Sequence, residues 1–193
     1  MPIPLQQIEH LLAKHQPRKK PLRRLLKRAA VAIILRQSAA GTEILMIKRS
    51  ARKGDPWSGQ MAFPGGRMDR TDRHGFDVAR RETEEEIGLK LTEQDRCIGR
   101  LSEIMTHFQL GRRAMVVSPY VFRLDREVEF TLNHEVSEVI WVPLDFLLNP
   151  ANKEKMTWTR RGIEIPLSCY IYRGRRIWGL SLMMLGELLE LLR

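Results

Sequence analysis

Cysteine is nearly absent from this chain: Cys97 and Cys169 are the only two among 193 residues, and they lie far apart. No CxxC pair exists, which removes zinc fingers and disulfide scaffolds and fits a reduced, intracellular protein. Long apolar runs are also missing, none approaching the roughly 20 residues that span a bilayer. The opening stretch MPIPLQQIEHLLAKH lacks the cation-then-apolar order of a signal peptide. Together these absences predict a cytoplasmic protein with no membrane partner. Acids are absent between Lys14 and Arg28, a segment holding eight basic residues (Lys14, Arg18, Lys19, Lys20, Arg23, Arg24, Lys27 and Arg28). That one segment accounts for most of the formal charge of +10. It could meet an anionic partner. No aromatic side chains interleave with it to stack bases, so nucleic acid is not the expected partner and a solvated basic face is the favoured reading.

What remains is ordinary globular material, 43% hydrophobic and 29% charged, at a length suited to one domain that needs no staple. Leu5, Ile8, Leu11 and Leu12 at helical spacing predict a short amphipathic helix over 3–15. Residues 1–27 therefore read as a helical basic extension, dispensable for catalysis, and 28–193 as the main domain. Ala29–Leu35 and Glu43–Arg49 read as paired buried strands around Gly41. Residues 50–66 read as loop with an extended piece at 60–63. A helix is predicted from about 74 to 87, stopping at Gly88. Strands follow at 96–101, 114–123 and 138–142, and a leucine-rich helix over 178–192. Mixed strands and helices without regular alternation predict an α+β fold, layered as an α/β/α sandwich with a mixed sheet between helices.

The chemistry is concentrated in WSGQMAFPGGRMDRTDRHGFDVARRETEEEIGL, residues 57–89. On the predicted helix, Phe76, Ala79, Thr83 and Ile87 fall within an arc of about 80° and form a plausible core stripe. Glu82, Glu85 and Glu86 stand beside it at spacing i, i+3, i+4. Two readings fit that spacing: a solvated acidic face, or a site where a hard cation such as Mg²⁺ or Mn²⁺ relieves the repulsion. Gly65 and Gly66 after Phe63-Pro64 allow close backbone approach ahead of a helix, a place suited to phosphate.

Gly66 and the run Arg81-Glu82-Thr83-Glu84-Glu85-Glu86-Ile87-Gly88-Leu89 resemble the Nudix box, G-x5-E-x7-R-E-U-x-E-E-x-G-U with U apolar. The acidic position falls on Asp72, and Thr83 takes an apolar position. The resemblance implies a Nudix fold. It also implies a metal-dependent pyrophosphohydrolase in which water attacks one phosphorus of a nucleoside-diphosphate-linked small molecule. By that resemblance Glu82, Glu85 and Glu86, with the Gly66 carbonyl, hold Mg²⁺ or Mn²⁺, and Arg81 orients the glutamates. Asp72 is then a secondary or structural ligand. The general base is Glu85, Glu86 or Glu135 in NHEVSEVIWVPL, with His107 a weaker candidate.

Upstream, Lys48-Arg49-Ser50, Gly59-Gln60 and Phe63-Pro64-Gly65-Gly66 are similar to the coenzyme A pyrophosphatase branch. The implied products are 3′,5′-ADP and 4′-phosphopantetheine. Arg49, Arg52 and Lys53 suit substrate phosphates, alongside Gly65 and Gly66. Arg112 and Arg113 could face the same pocket. Trp57 could contact the substrate, whereas Met61 is expected to pin its loop to the core. Trp141, Trp158, Trp178, Met183 and Met184 read as packing residues. Two alternatives stay open: a hydrolase for ADP-ribose or another nucleoside diphosphate derivative, and a non-catalytic Nudix domain with a nucleic-acid-binding basic segment. A homodimer is compatible with everything above.

Overall fold

A computed structural model describes residues 3–54, 57–106, 114–160 and 162–193. The sheet is organised around β1 (Lys27–Ser38). Its far half turns back into β2 (Gly41–Arg49) with Leu35 opposite Ile44. Along its other edge β1 runs parallel to β7 (Met115–Leu124), from Lys27 opposite Met115 to Arg36 opposite Leu124. β3 (Met61–Ala62) and β8 (Val136–Pro143) pair with β2. β4 (Gly65–Arg67) pairs with the near half of β1, and β5 (Cys97–Arg100) and β6 (Ile104–Met105) with β7.

Side chains of β1 alternate between two separate cores, as a period of two requires. Ala30, Ala32 and Ile34 face α2 (Gly75–Ile87), packed with Leu45, Ile47, Val78, Ala79 and Phe122. Ala29, Ile33 and Leu35 face the other way, toward α1 (Leu5–Lys14), α3 (Leu144–Leu148) and α4 (Gly179–Leu191). The result is the expected α/β/α sandwich. The alanines on the α2 side leave room for that helix to sit low on the sheet.

Three features depart from the sequence reading. The N-terminal segment does not stand off: Leu5, Ile8 and Leu12 are buried in the main core. Thr42 Oγ1 donates to the Ile3 carbonyl at 2.7 Å, and Glu9 pairs with Arg96 and Arg123 at 3.1 and 3.2 Å. Residues 153–177 form a second antiparallel sheet that no motif announced: β9 (Lys153–Arg160), β10 (Ile163–Tyr172) and β11 (Arg175–Ile177). Tyr170 and Ile177 tie it to the main core. Met183 is exposed whereas Met184 is buried, so that pair is only half core. Trp178 lies just before α4, 6.2 Å ring to ring from Trp158, and Met61 packs in the core as expected. Among the described residues no helix is long and apolar enough to cross a membrane.

Candidate active site

α2 begins where Asp77 accepts the His74 N–H at 3.0 Å, a carboxylate placed at the positive end of the helix dipole. It ends where Gly88 turns left-handed at φ 70° and donates to Glu84 O. Its buried stripe is Val78, Ala79, Thr83, Glu86 and Ile87. Thr83 fits an apolar position because its hydroxyl donates to Ala79 O at 2.6 Å. Phe76 is half-buried and stacks on Phe122 at 5.7 Å. Glu86 therefore belongs to the inner face, at 3% exposure, and not to a solvated acidic face.

The glycine turn explains how a carboxylate survives there. Gly65 N–H donates to Glu86 Oε2 at 2.9 Å. Gly65 has φ 155°, and a Cβ there would lie 2.3 Å from Ala30 O, inside the ladder between β4 and β1. A Cβ on Gly66 would meet the Glu82 carboxylate at 2.3–2.5 Å. Close backbone approach thus requires glycine at 65, whereas glycine at 66 leaves the space that the Glu82 carboxylate occupies.

Arg81 organises the outer side. Its Nε and Nη2 donate to Asp72 at 3.2 and 2.9 Å, its Nη1 to Glu82 at 2.9 Å and Glu85 at 3.0 Å, and Nη2 also to Arg67 O at 3.2 Å. This pairing holds the Asp72 carboxyl below its usual range. Asp72 therefore anchors the arginine that orients two glutamates.

A late loop completes the cluster. The C-terminal carbonyls of a helix need partners, and here Thr131 and Asn133 N–H groups supply them at Ile87 O and Glu86 O, both 3.0 Å. Asn133 Oδ1 accepts the Glu135 N–H at 2.8 Å, and Glu135 O accepts the Ser50 N–H at 2.8 Å. Glu135 is thereby set beside the 49–52 stretch, with Arg52 Nη1 3.3 Å from its Oε1. Arg49 Nη1 lies 3.9 Å from Glu86 Oε1.

Desolvation, first, then the charges of Glu82 and Glu135, push the Glu86 carboxyl up to about 7, against the pull of Gly65 N–H and Arg49. Glu82 is raised chiefly by burial as well, with Glu85 and Glu135 adding to it. Carboxylates so crowded and so dry are the oxygen-only donor chemistry that suits a hard divalent cation. Among the described residues no three acidic, histidine or cysteine side chains already converge as a ligand set, because Arg81 bridges Glu82 and Glu85.

The structure thus joins Gly65, Gly66, Arg81, Glu82, Glu85 and Glu86 with Arg49, Arg52 and Glu135. Lys53 stands exposed in the following turn, and no hydrogen bond or ion pair among the described residues ties it to the glutamates. His107, Arg112 and Arg113 lie outside the described residues. Sequence reasoning missed Asn133 and Thr131 as the link between loop and helix. It also missed the pairing of Arg52 with Glu135; the asparagine two residues ahead of Glu135 was the available clue.

A glycine turn laid against a helix of acidic residues, inside an α/β/α sandwich, is the arrangement that these elements build. Residues 26–162 match the NUDIX domain, and the chain belongs to the Nudix family. It is 30% identical over 167 residues to the human mitochondrial coenzyme A diphosphatase NUDT8, covering 85% of this chain and 69% of that protein. Over 110 residues it is 38% identical to an uncharacterized Schizosaccharomyces pombe protein, C14C4.10c, covering 55% of this chain and 33% of that one. Against a second S. pombe protein, a probable nudix hydrolase (C6G9.05), the match reaches 62% of the relative. The chain thus spans from a third to about two-thirds of these relatives' lengths. Among solved structures, a MutT/nudix family protein from Enterococcus faecalis shares the fold, with TM-score 0.51 at 19% identity, covering 93% of this chain and 63% of that one.

Proposed function

We propose that the chain is a metal-dependent Nudix pyrophosphohydrolase. It cleaves a nucleoside-diphosphate-linked substrate by water attack on phosphorus, and the substrate is coenzyme A or a derivative. The observation that carries this reading is the packing of the Glu82 and Glu86 carboxylates against Gly66 and Gly65, with Arg49 beside Glu86 and Arg81 beside Glu82. The coenzyme A assignment is supported by the 48–66 segment and by the similarity to the coenzyme A diphosphatase NUDT8.

Glu82, Glu85 and Glu86, with the Gly66 carbonyl, would hold Mg²⁺ or Mn²⁺, which when bound supplies Lewis acidity to the phosphate oxygens and eases deprotonation of water. The rest falls to the chain. Asp72 and Arg81 keep the glutamates in register. Gly65 and Gly66 let a phosphate approach the backbone. Arg49 and Arg52, joined by Lys53 from the turn, neutralise the diphosphate. A base must take the water's proton: Glu85, Glu86 or Glu135 serves, and Glu135 is freed for it when phosphate draws Arg52 away. The free cysteines support a reducing compartment, in our reading the cytoplasm.

A mass-resolved product assay with Mg²⁺ or Mn²⁺ tests this, with coenzyme A, ADP-ribose, NADH and nucleoside triphosphates in parallel. The expected result is 3′,5′-ADP with 4′-phosphopantetheine, fastest from coenzyme A. Activity only on another diphosphate would keep the metal site and overturn the coenzyme A assignment. Silence from folded, metal-loaded protein would favour a binding domain.

A further inference from the structure

We propose that the turn between α1 and β1 is a docking surface for an anionic lipid bilayer, with Leu22 and Leu25 entering the headgroup boundary and the surrounding cations meeting lipid phosphates. Leu22 and Leu25 are 73% and 79% exposed, the highest values of any large apolar side chain among the described residues. They bracket one 3₁₀ turn at Arg23–Leu25, Leu22 as the residue before it and Leu25 as its last, so two exposed aliphatic side chains lie within four residues. Leu22 also holds a left-handed backbone, φ 57° and ψ 15°, which disfavours a residue of its bulk. Inside the protein that strain gains nothing, because the side chain it presents is in water.

The turn is nevertheless firmly built. Arg18 N–H donates to Ser102 Oγ at 2.9 Å, and Arg18 O accepts the Glu103 N–H at 2.9 Å. The buried Glu103 carboxylate accepts the Lys20 N–H at 2.8 Å and the Ser118 hydroxyl at 3.1 Å, and pairs with Arg23 at 2.9 Å. Arg23 thus absorbs the one acid at hand. Arg18, Lys19, Lys20, Arg24 and Lys27 stand exposed around the leucines, and no ion pair among the described residues neutralises them.

A hydrogen-bonded turn carrying two exposed aliphatic side chains among exposed cations combines the two contributions that hold a protein on an anionic membrane: inserted apolar area and attraction to lipid charge. Nucleic acid would engage the cations but offers no use for protruding leucines, and no aromatic ring here stacks a base. The scarcity of long apolar runs excluded a membrane partner only in the sense of a spanning helix; lying on the surface needs none.

Co-sedimentation of the full chain with phosphatidylcholine vesicles, with and without phosphatidylserine, tests the proposal. Binding is expected only to the mixed vesicles, and to weaken as salt is raised. The double variant Leu22→Asn/Leu25→Ser keeps every charge, and asparagine tolerates the left-handed backbone. It is expected to bind at least roughly tenfold more weakly. Lys19→Ser/Lys20→Ser/Arg24→Ser is expected to abolish the preference for phosphatidylserine. Undiminished binding by either folded variant would overturn the proposal. So would wild-type indifference to phosphatidylserine, or displacement of the protein from vesicles by an equal charge of duplex RNA.

Discussion

Glu86 provides a stability test that needs no substrate. In the metal-free fold its carboxyl titrates near 7, against an ordinary 4.5 in the unfolded chain. Below pH 4.5 both states carry the proton and the site costs nothing. Between 4.5 and 7 the unfolded chain ionises first, so stability falls as pH rises, and above 7 the full penalty is present. At about 1.4 kcal/mol per tenfold change, that penalty reaches about 3 kcal/mol. Relaxation of the site reduces it to about 1.5–3 kcal/mol, equivalent to about 3–10 °C in melting temperature for a domain of this size. Glu86→Gln keeps an acceptor for Gly65 N–H and removes the charge. The metal-free variant should therefore melt higher than wild type at pH 8 and match it near pH 5. Mg²⁺ or Mn²⁺ should raise the wild-type melting temperature most at high pH, where no proton competes, and Glu86→Gln much less. Parallel melting curves for the two proteins from pH 5 to 8, without metal, would refute the argument.

Other substitutions separate chemistry from scaffold. Glu85→Gln should lower turnover by orders of magnitude with an unchanged melting temperature, since Glu85 is half exposed and, among the described residues, paired with Arg81 alone; near-normal turnover would remove it from the site. Gly66→Ala should fold, because the group it meets is the mobile end of Glu82, yet lose roughly 100-fold or more in turnover in a steady-state assay. Ile8→Ala, fully buried in α1, should cost about 2–4 kcal/mol by denaturant unfolding while sparing kcat. Deleting residues 1–26, expected from the sequence to spare catalysis, removes Leu5, Ile8 and Leu12 from the core and should destabilise the domain more than any of these in denaturant unfolding.

The legible parts of the sequence were those where a local rule and the tertiary outcome agree. Apolar runs on either side of Gly41 gave the β1–β2 hairpin, and Gly88 ended α2 where its backbone freedom was needed. The acidic run marked the site but not its inner and outer sides: helical spacing places Glu86 next to the core stripe, and only the turn at Gly65 makes burial tolerable there. Glu135 was visible as a late-loop carboxylate, whereas its route to the site runs through backbone bonds to the end of α2 that leave no side-chain pattern. The β9–β11 sheet was missed for a related reason. Its strands are half-exposed on both faces, so the alternation that identifies a buried strand is weak. For the basic segment, composition reported the charge and hid the structure: a single carboxylate, Glu103, holds Lys20 and Arg23 in a stretch that reads as a solvated basic face.

The docking of α1 has a bearing on synthesis. Leu12 packs on Gly99 of β5, and His15 lies 2.9 Å from Glu187 in α4, 172 positions further along the chain, so α1 closes on a helix made long after it. Ten residues are too few to hold a helix in water alone. At ribosomal rates of about 5–20 residues per second, its apolar face waits roughly 10–40 s for its partners to emerge. The sandwich can therefore be sealed only after translation has passed residue 187, and until then Leu5, Ile8 and Leu12 are an exposed apolar stripe for chaperones to cover.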